Sequence, residues 1–200
     1  MKPEEIKEGK TKIDSRVHLL AFVTLKHFEQ KRKYTNEPYL NHLKSVANMA
    51  DGKCRFGYET GLCHDLLEDT DCTPAELGEA LYRFGYGKDE VVLIVGAVME
   101  LTDVFTSESY PDVNRKNRKH LEALRLHNVS HEAQTVKYCD LIDNTSSIVT
   151  HDHGFAEVYL KEKESILAGM NKGNPELYQQ CLLTLAAAKE KLANNQNVKA

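Results

Sequence analysis

The 200-residue sequence predicts an all-α fold. Apolar residues recur at spacings of three and four along most of the chain, as one face of a helix requires. No stretch alternates with period two between hairpin turns. Helix-start signals stand ahead of apolar runs, as in Thr73-Pro74-Ala75-Glu76 and Asn174-Pro175.

The elements follow in order. Over residues 16–33, Val17, Leu20, Ala21, Leu25 and Phe28 make one apolar stripe, closed by the charged tail QKRK. Pro38 suits the first turn of a second helix, because its missing N–H would have no intrahelical partner there; Leu40, Leu43, Val46 and Ala47 continue the stripe. A third helix is expected over 57–69. Thr73 opens a fourth as a capping box, with Pro74 at its first position and a break near Gly85. Residues 89–102 are apolar nearly all round, which predicts a helix buried in the middle of the bundle. TSESYPD reads as a loop, and helices are expected over 112–126, 130–149, 154–170 and 175–193, with a fraying NNQNVKA end. His151 and His153, beside Gly154, read as loop and capping residues. No repeat, low-complexity tract or linker divides the chain, so residues 1–200 read as one domain.

With 41% apolar residues the chain can bury a core without cross-links. A net charge of −4 gives no general attraction to nucleic acid or anionic lipid, so any phosphate must meet a local basic cluster. The first twelve residues lack the apolar stretch of a signal peptide, and the longest apolar run, Val91 to Met99, is too short to span a bilayer. The expectation is a cytoplasmic protein without nucleic-acid or membrane partners. Five cysteines form no C-x-x-C pair and read as reduced, with Cys63 and Cys139 in the core.

The strongest local feature is GLCHDLLEDT, where His64, Asp65, Glu68 and Asp69 interrupt an otherwise apolar helix. Residues three and four apart share a helix face, so Glu68 lies one turn from His64 and Asp65. Burying uncompensated carboxylates costs several kcal/mol each, so the cluster is either solvated or liganded. Imidazole together with carboxylate suits manganese, iron, zinc or cobalt. Asp140 and Asn144 lie one turn apart in YCDLIDN, and His42 stands near the start of an amphipathic helix. Read alone, each of these two patches has a bland explanation.

Taken together the pieces resemble the HD superfamily of phosphohydrolases, whose ligand set is one histidine, a later His-Asp pair and a distant aspartate. The likeness is greatest to the hydrolase domains of RelA/SpoT-type alarmone enzymes and to small stand-alone alarmone hydrolases. It rests on Arg32-Lys33 with PYLNH and SVA, on GLCHDLLEDTDCT, on NRKNRK at 114–119, and on VKYCDLIDN at 136–144, over roughly residues 15–160. The resemblance implies a single-domain HD-type helical bundle with one divalent ion, expected to be manganese, on His42, His64, Asp65 and Asp140. It assigns the water-orienting and proton-moving role to Glu68 and Asp69. Arg32, Lys33, Arg115 and Lys116 become candidates for phosphate; without the likeness, NRKNRK reads as a solvated helix face. Asn144 becomes a candidate for a sugar hydroxyl or phosphate and Tyr159 for stacking, although an aromatic after Phe155 at helical spacing is commonly core.

The chain departs from the family pattern at Leu43, where proline is usual, at Leu141, where a basic residue is usual, and at Asp143, where histidine or tyrosine is usual. The expected activity is hydrolysis of guanosine 3′,5′-bis(diphosphate), or its pentaphosphate, to pyrophosphate and GDP or GTP. The rivals are an HD phosphohydrolase acting on another nucleotide or phosphoester, favoured by Leu141 and Asp143, and a non-catalytic nucleotide sensor, which would have little use for Glu68 and Asp69.

Overall fold

The computed structural model describes residues 11–197. Its helices are α1 (Lys12–Lys26), α2 (Leu40–Ala50), α3 (Gly57–Cys63), α4 (Leu66–Asp69), α5 (Pro74–Phe84), α6 (Lys88–Leu101), α7 (Arg115–Leu126), α8 (His131–His151), α9 (His153–Leu167) and α10 (Pro175–Asn197). Among the described residues there is no strand, only an isolated bridge between Lys31 and Pro38. The described residues form an all-α bundle, and none of the described helices is long and apolar enough to cross a membrane.

Local chemistry accounts for the helix starts. Side chains of Thr11, Thr73, Asn114, Ser130 and Asp152 each accept a backbone N–H of the first turn they open. At Thr73 only that half of the expected capping box forms. Asn174 accepts the amides of Glu176 and Leu177 and so opens α10, which continues to Asn197 instead of ending at 193; residues 198–200 of the expected frayed end lie outside the described residues. Asp152, rather than a histidine, caps α9; His151 is the last residue of α8.

Two buried clusters form the core. One gathers Leu126, Val136, Tyr138, Leu160 and Leu185 beneath α7 to α10, and the other gathers Leu19, Leu62, Leu77, Leu81 and Ile94 from α1, α3, α5 and α6. Helix α2 lies between them: Val46 and Ala50 belong to the first, Leu43 and Ala47 to the second. Burying a side chain the size of Leu43 or Val46 contributes about 1.5–3 kcal/mol, so both faces of α2 are held and its register is set. The helix packs on α3 and α8 together. Four cysteines are buried, Cys54 is half-buried, and all five are free.

Five expectations need correction. Of the expected stripe, Val17 and Leu25 on α1 and Phe28 in the turn after it face solvent at 58%, 74% and 78% exposure, while Ser15, Leu19 and Val23 face the core. Both faces of α1 carry apolar residues at helical spacing, and packing against α3 and α5 selects between them. The helix also stops at Lys26, and residues 30–39 return as a loop closed by Arg32 N–H to Glu37 O and Tyr39 N–H to Gln30 O. Pro38 belongs to that loop, so Tyr39 and not Pro38 precedes α2. Helix α6 is peripheral, with Val92 and Met99 more than half exposed; the central helix is α8, which buries Val136, Cys139 and Ile148. Finally, the helix expected over 57–69 is broken at His64 and Asp65, where Asp65 adopts φ −99°, ψ 2° and its carbonyl accepts the amides of Glu68 and Asp69.

Candidate functional site

The break between α3 and α4 turns the His-Asp pair toward α2 and α8. Gly61 permits the approach: a Cβ there would stand 2.8 Å from Ala47 Cα, so the backbones of α2 and α3 meet with no side chain between them. The rings of His42 on α2 and His64 at the end of α3 consequently come within 5.1 Å, centroid to centroid.

Each imidazole is oriented through its Nδ1. That of His42 lies 2.7 Å from Asp143 Oδ2, and that of His64 lies 2.8 Å from the Gly61 carbonyl. Both partners only accept, so each Nδ1 carries the proton and each Nε2 is left to point inward. Among the described residues neither Nε2 finds a hydrogen-bond partner, although both are buried. Around them stand Asp65 Oδ2, 3.6 Å from His42 and 3.0 Å from His64, and Asp140 Oδ1, 3.5 Å and 3.9 Å from the same atoms. Ligand atoms of His42, His64 and Asp65 all lie within 4.8 Å of one another, with Asp140 closing the fourth side.

Two orphaned imidazole nitrogens facing two carboxylates form a donor set that fits a divalent transition ion. The local field demands positive charge there. Burial opposes protonation of His42, but Asp140, Asp143 and Asp65 outweigh it and raise its pKa to about 11; at His64 burial is again opposed, by Asp65 and Asp140, with a result of about 9. Further contacts hold the carboxylates: the Tyr39 hydroxyl donates to Asp65 Oδ2 at 2.6 Å, Lys137 Nζ reaches Asp140 Oδ2 at 2.8 Å, and the Asn144 amide donates to Asp140 Oδ1 at 2.5 Å.

Beside this centre lies a cavity of about 190 Å³, lined by Asp65, Asp140, Glu68, Lys119, Lys137 and Lys163 among others. Glu68 is held by the backbone N–H of Asp103, and burial together with the Asp103 carboxylate pushes its pKa up to about 7. That places it near neutrality, where a carboxylate both takes and returns a proton. Asp69, also raised by burial, instead accepts from the Gln30 amide at 2.7 Å, which ties it to the loop after α1.

A second cavity of about 290 Å³ opens next to it, lined by Arg32, Lys33, Tyr34, Asn144, Phe155 and Tyr159 among others. Arg32 is already engaged, with Nη1 2.8 Å from Asp143 and Nη2 donating to Asn144 Oδ1 at 3.1 Å. Lys33 sits over the Tyr34 ring at 5.0 Å. Tyr159 packs against the core, its ring 6.4 Å from that of Phe155, and also lines this cavity. Arg115 and Lys116 line a different groove, between α7 and α9, where Arg115 pairs with Glu162 at 2.9 Å. Of the NRKNRK segment, Lys119 is the residue that lines the cavity beside the His-Asp centre.

Sequence reasoning missed Lys137, Lys163, Tyr39 and the positive role of Asp143. Lys137 had a signal, standing three residues before Asp140 on one helix face, as did Tyr39, three before His42. Asp143 shares the α8 segment of Asp140, yet its contact with His42 lies 101 residues away along the chain. Lys163 is one of many lysines on amphipathic helices, and nothing local distinguishes it.

No family model matches the sequence, and no curated protein matches it. A solved structure does. It is a metazoan ortholog of SpoT, described as hydrolysing ppGpp and playing a role in starvation responses; it matches with a TM-score of 0.71 at 21% identity, covering 86% of this chain and 94% of that one. The two proteins share one fold. In this chain the fold brings α2, the α3–α4 break and α8 to a common point.

Proposed function

We propose that this protein is a metal-dependent phosphohydrolase that removes the 3′-diphosphate of guanosine tetra- or pentaphosphate as pyrophosphate. One observation carries the reading: two buried imidazole Nε2 atoms without hydrogen bonds converge on Asp65 and Asp140 at the wall of a cavity that also holds Glu68 and three lysines. The likeness in fold to a protein described as hydrolysing ppGpp supports the choice of substrate class.

In this reading His42, His64, Asp65 and Asp140 hold one divalent ion, manganese being the first choice for a mixed nitrogen and oxygen set. Such an ion supplies Lewis acidity and lowers the pKa of a water bound to it. Glu68 receives a proton from the attacking water and, by returning it, protonates the ribose 3′-oxygen as the P–O3′ bond breaks. Asp69 shares in orienting that water through the loop that also carries Gln30. Asn144 and the second cavity, with Tyr34, Phe155 and Tyr159, receive the nucleoside, and Arg32 and Lys33 its phosphates. Metal-loaded protein incubated with guanosine tetraphosphate is expected to yield GDP and intact pyrophosphate, separated by ion-exchange chromatography. Stepwise release of orthophosphate sinks this assignment.

A second reading, hydrolysis of another nucleotide or phosphoester at the same centre, is favoured by Asp143. It engages Arg32, and Arg115 is paired with Glu162, so two of the cations expected to meet phosphate are already neutralised. Comparable turnover of ordinary nucleoside triphosphates would select this reading.

A further inference from the structure

The charges around the 190 Å³ cavity are nearly all matched. Lys137 reaches Asp140 at 2.8 Å and Lys119 reaches Asp103 at 2.6 Å. Glu122 is paired with Arg125 and accepts the amides of Val104 and Phe105; Glu162 is paired with Arg115. Asp65 accepts from Tyr39, and Glu68 from the Asp103 amide. Lys163, on α9, is left over. It is half-buried, lies over the Tyr159 ring at 4.7 Å, and makes no hydrogen bond or ion pair among the described residues. Its charged neighbours are Lys137, Lys119, Asp103 and Asp140, and both carboxylates already have a lysine of their own.

A half-buried ammonium with no acceptor from the described residues, set in a cavity beside two other ammonium groups, favours an anion that can accept from all three. The ring beneath Lys163 fixes its position without neutralising its charge. Since Asp65, Glu68 and Asp140 share the cavity, an anion there lies next to the reacting centre.

We propose that Lys163, flanked by Lys119 and Lys137, forms an anion subsite that binds the phosphate of a diphosphate group farther from the His-Asp centre. Naming that group as the 3′-diphosphate rests on the hydrolase reading above; the subsite itself rests on the unmatched lysine. It gives the cavity two ends, the His-Asp centre for the phosphorus that is attacked and the three lysines for its neighbour. A diphosphate therefore fits and a lone phosphate satisfies one end only.

Calorimetric titration of pyrophosphate and of orthophosphate into the manganese-loaded full chain tests this. Lys163→Met and Lys163→Gln are expected to keep metal content and melting temperature while weakening pyrophosphate binding about ten- to a hundredfold, the usual worth of one charge-assisted hydrogen bond. Lys163→Arg should restore it to within a few-fold, and orthophosphate should lose less than pyrophosphate. Gln is the variant that decides if Met fails to fold. Unchanged pyrophosphate affinity in folded Lys163→Gln overturns the subsite, even if guanosine tetraphosphate is hydrolysed. Lys163-dependent pyrophosphate binding without hydrolysis of guanosine tetraphosphate leaves the subsite standing and removes the substrate assignment.

Discussion

The His-Asp centre and the basic helix α7 look equally purposeful as strings of residues, and the fold treats them in opposite ways. At the centre, groups from α2, α3 and α8 converge until imidazole and carboxylate atoms lie 3.0 to 3.9 Å apart. On α7 the charges diverge: Arg115 pairs with Glu162, Arg118 donates to the Val113 carbonyl, and Lys119 enters the cavity with Asp103. The difference is burial. A buried polar group must find a partner, so its neighbours are informative, whereas an exposed cation is solvated whichever way it points.

The largest effect expected from breaking this contrast is at the centre itself. His64→Ala and Asp140→Ala should lose the bound divalent ion and all turnover, read by elemental analysis of the purified variants. Retention of metal at the parent level by both would dissolve the site.

Next comes Glu68→Gln, expected to keep metal and fold but lose about 10² to 10⁴ in kcat. Asp69→Asn, whose carboxylate is held by Gln30, should lose less. The pH profile sharpens the distinction. A base must be ionised to accept a proton, so with the Glu68 pKa raised to about 7 the rate should fall as pH drops through neutrality. Asp103 and Asp65 raise that limb, Lys137 lowers it, and a bound cation lowers it further. A profile flat down to pH 5 excludes Glu68 as the base.

The chemistry of the centre was thus legible in advance to an uneven degree. The apolar companions of His64 and Asp65 announced that these side chains would be drawn inward; His64 is buried and Asp65 half-buried, and burial made their partners a matter of necessity. The geometry of Asp143 was not legible: as a departure from the family pattern it read as a loss of charge and stacking, whereas it anchors His42 Nδ1 and Arg32 together. Asp143→Asn is accordingly the intermediate test. Removing an outer carboxylate from a ligating histidine costs about 10- to 100-fold in metal affinity, measurable by competition with a chelator, and freed Arg32 should improve the KM for a phosphorylated substrate. A lowered metal affinity with unchanged KM would show that Arg32 has no part in substrate recognition.

The smallest effect belongs to α7. Arg115→Ala with Lys116→Ala should change KM by less than about fivefold, since exposed ion pairs are worth at most about 1 kcal/mol and neither residue lines the cavity beside the centre. A tenfold rise would restore these residues to the substrate site and require α7 to rotate.

By itself the sequence determined the all-α class, the capped helix starts, and the short set of residues able to hold a metal, because spacing, caps and side-chain chemistry act within a turn or two. Only tertiary packing decided which stripe of α1 turned inward, where the expected helix over 57–69 broke, and that Lys163 would stand beside the His-Asp centre without an ion-pair partner among the described residues. Those outcomes depend on contacts between residues far apart in the chain, such as Gly61 against Ala47 and His42 against Asp143, and no local pattern carries the distance between two helices.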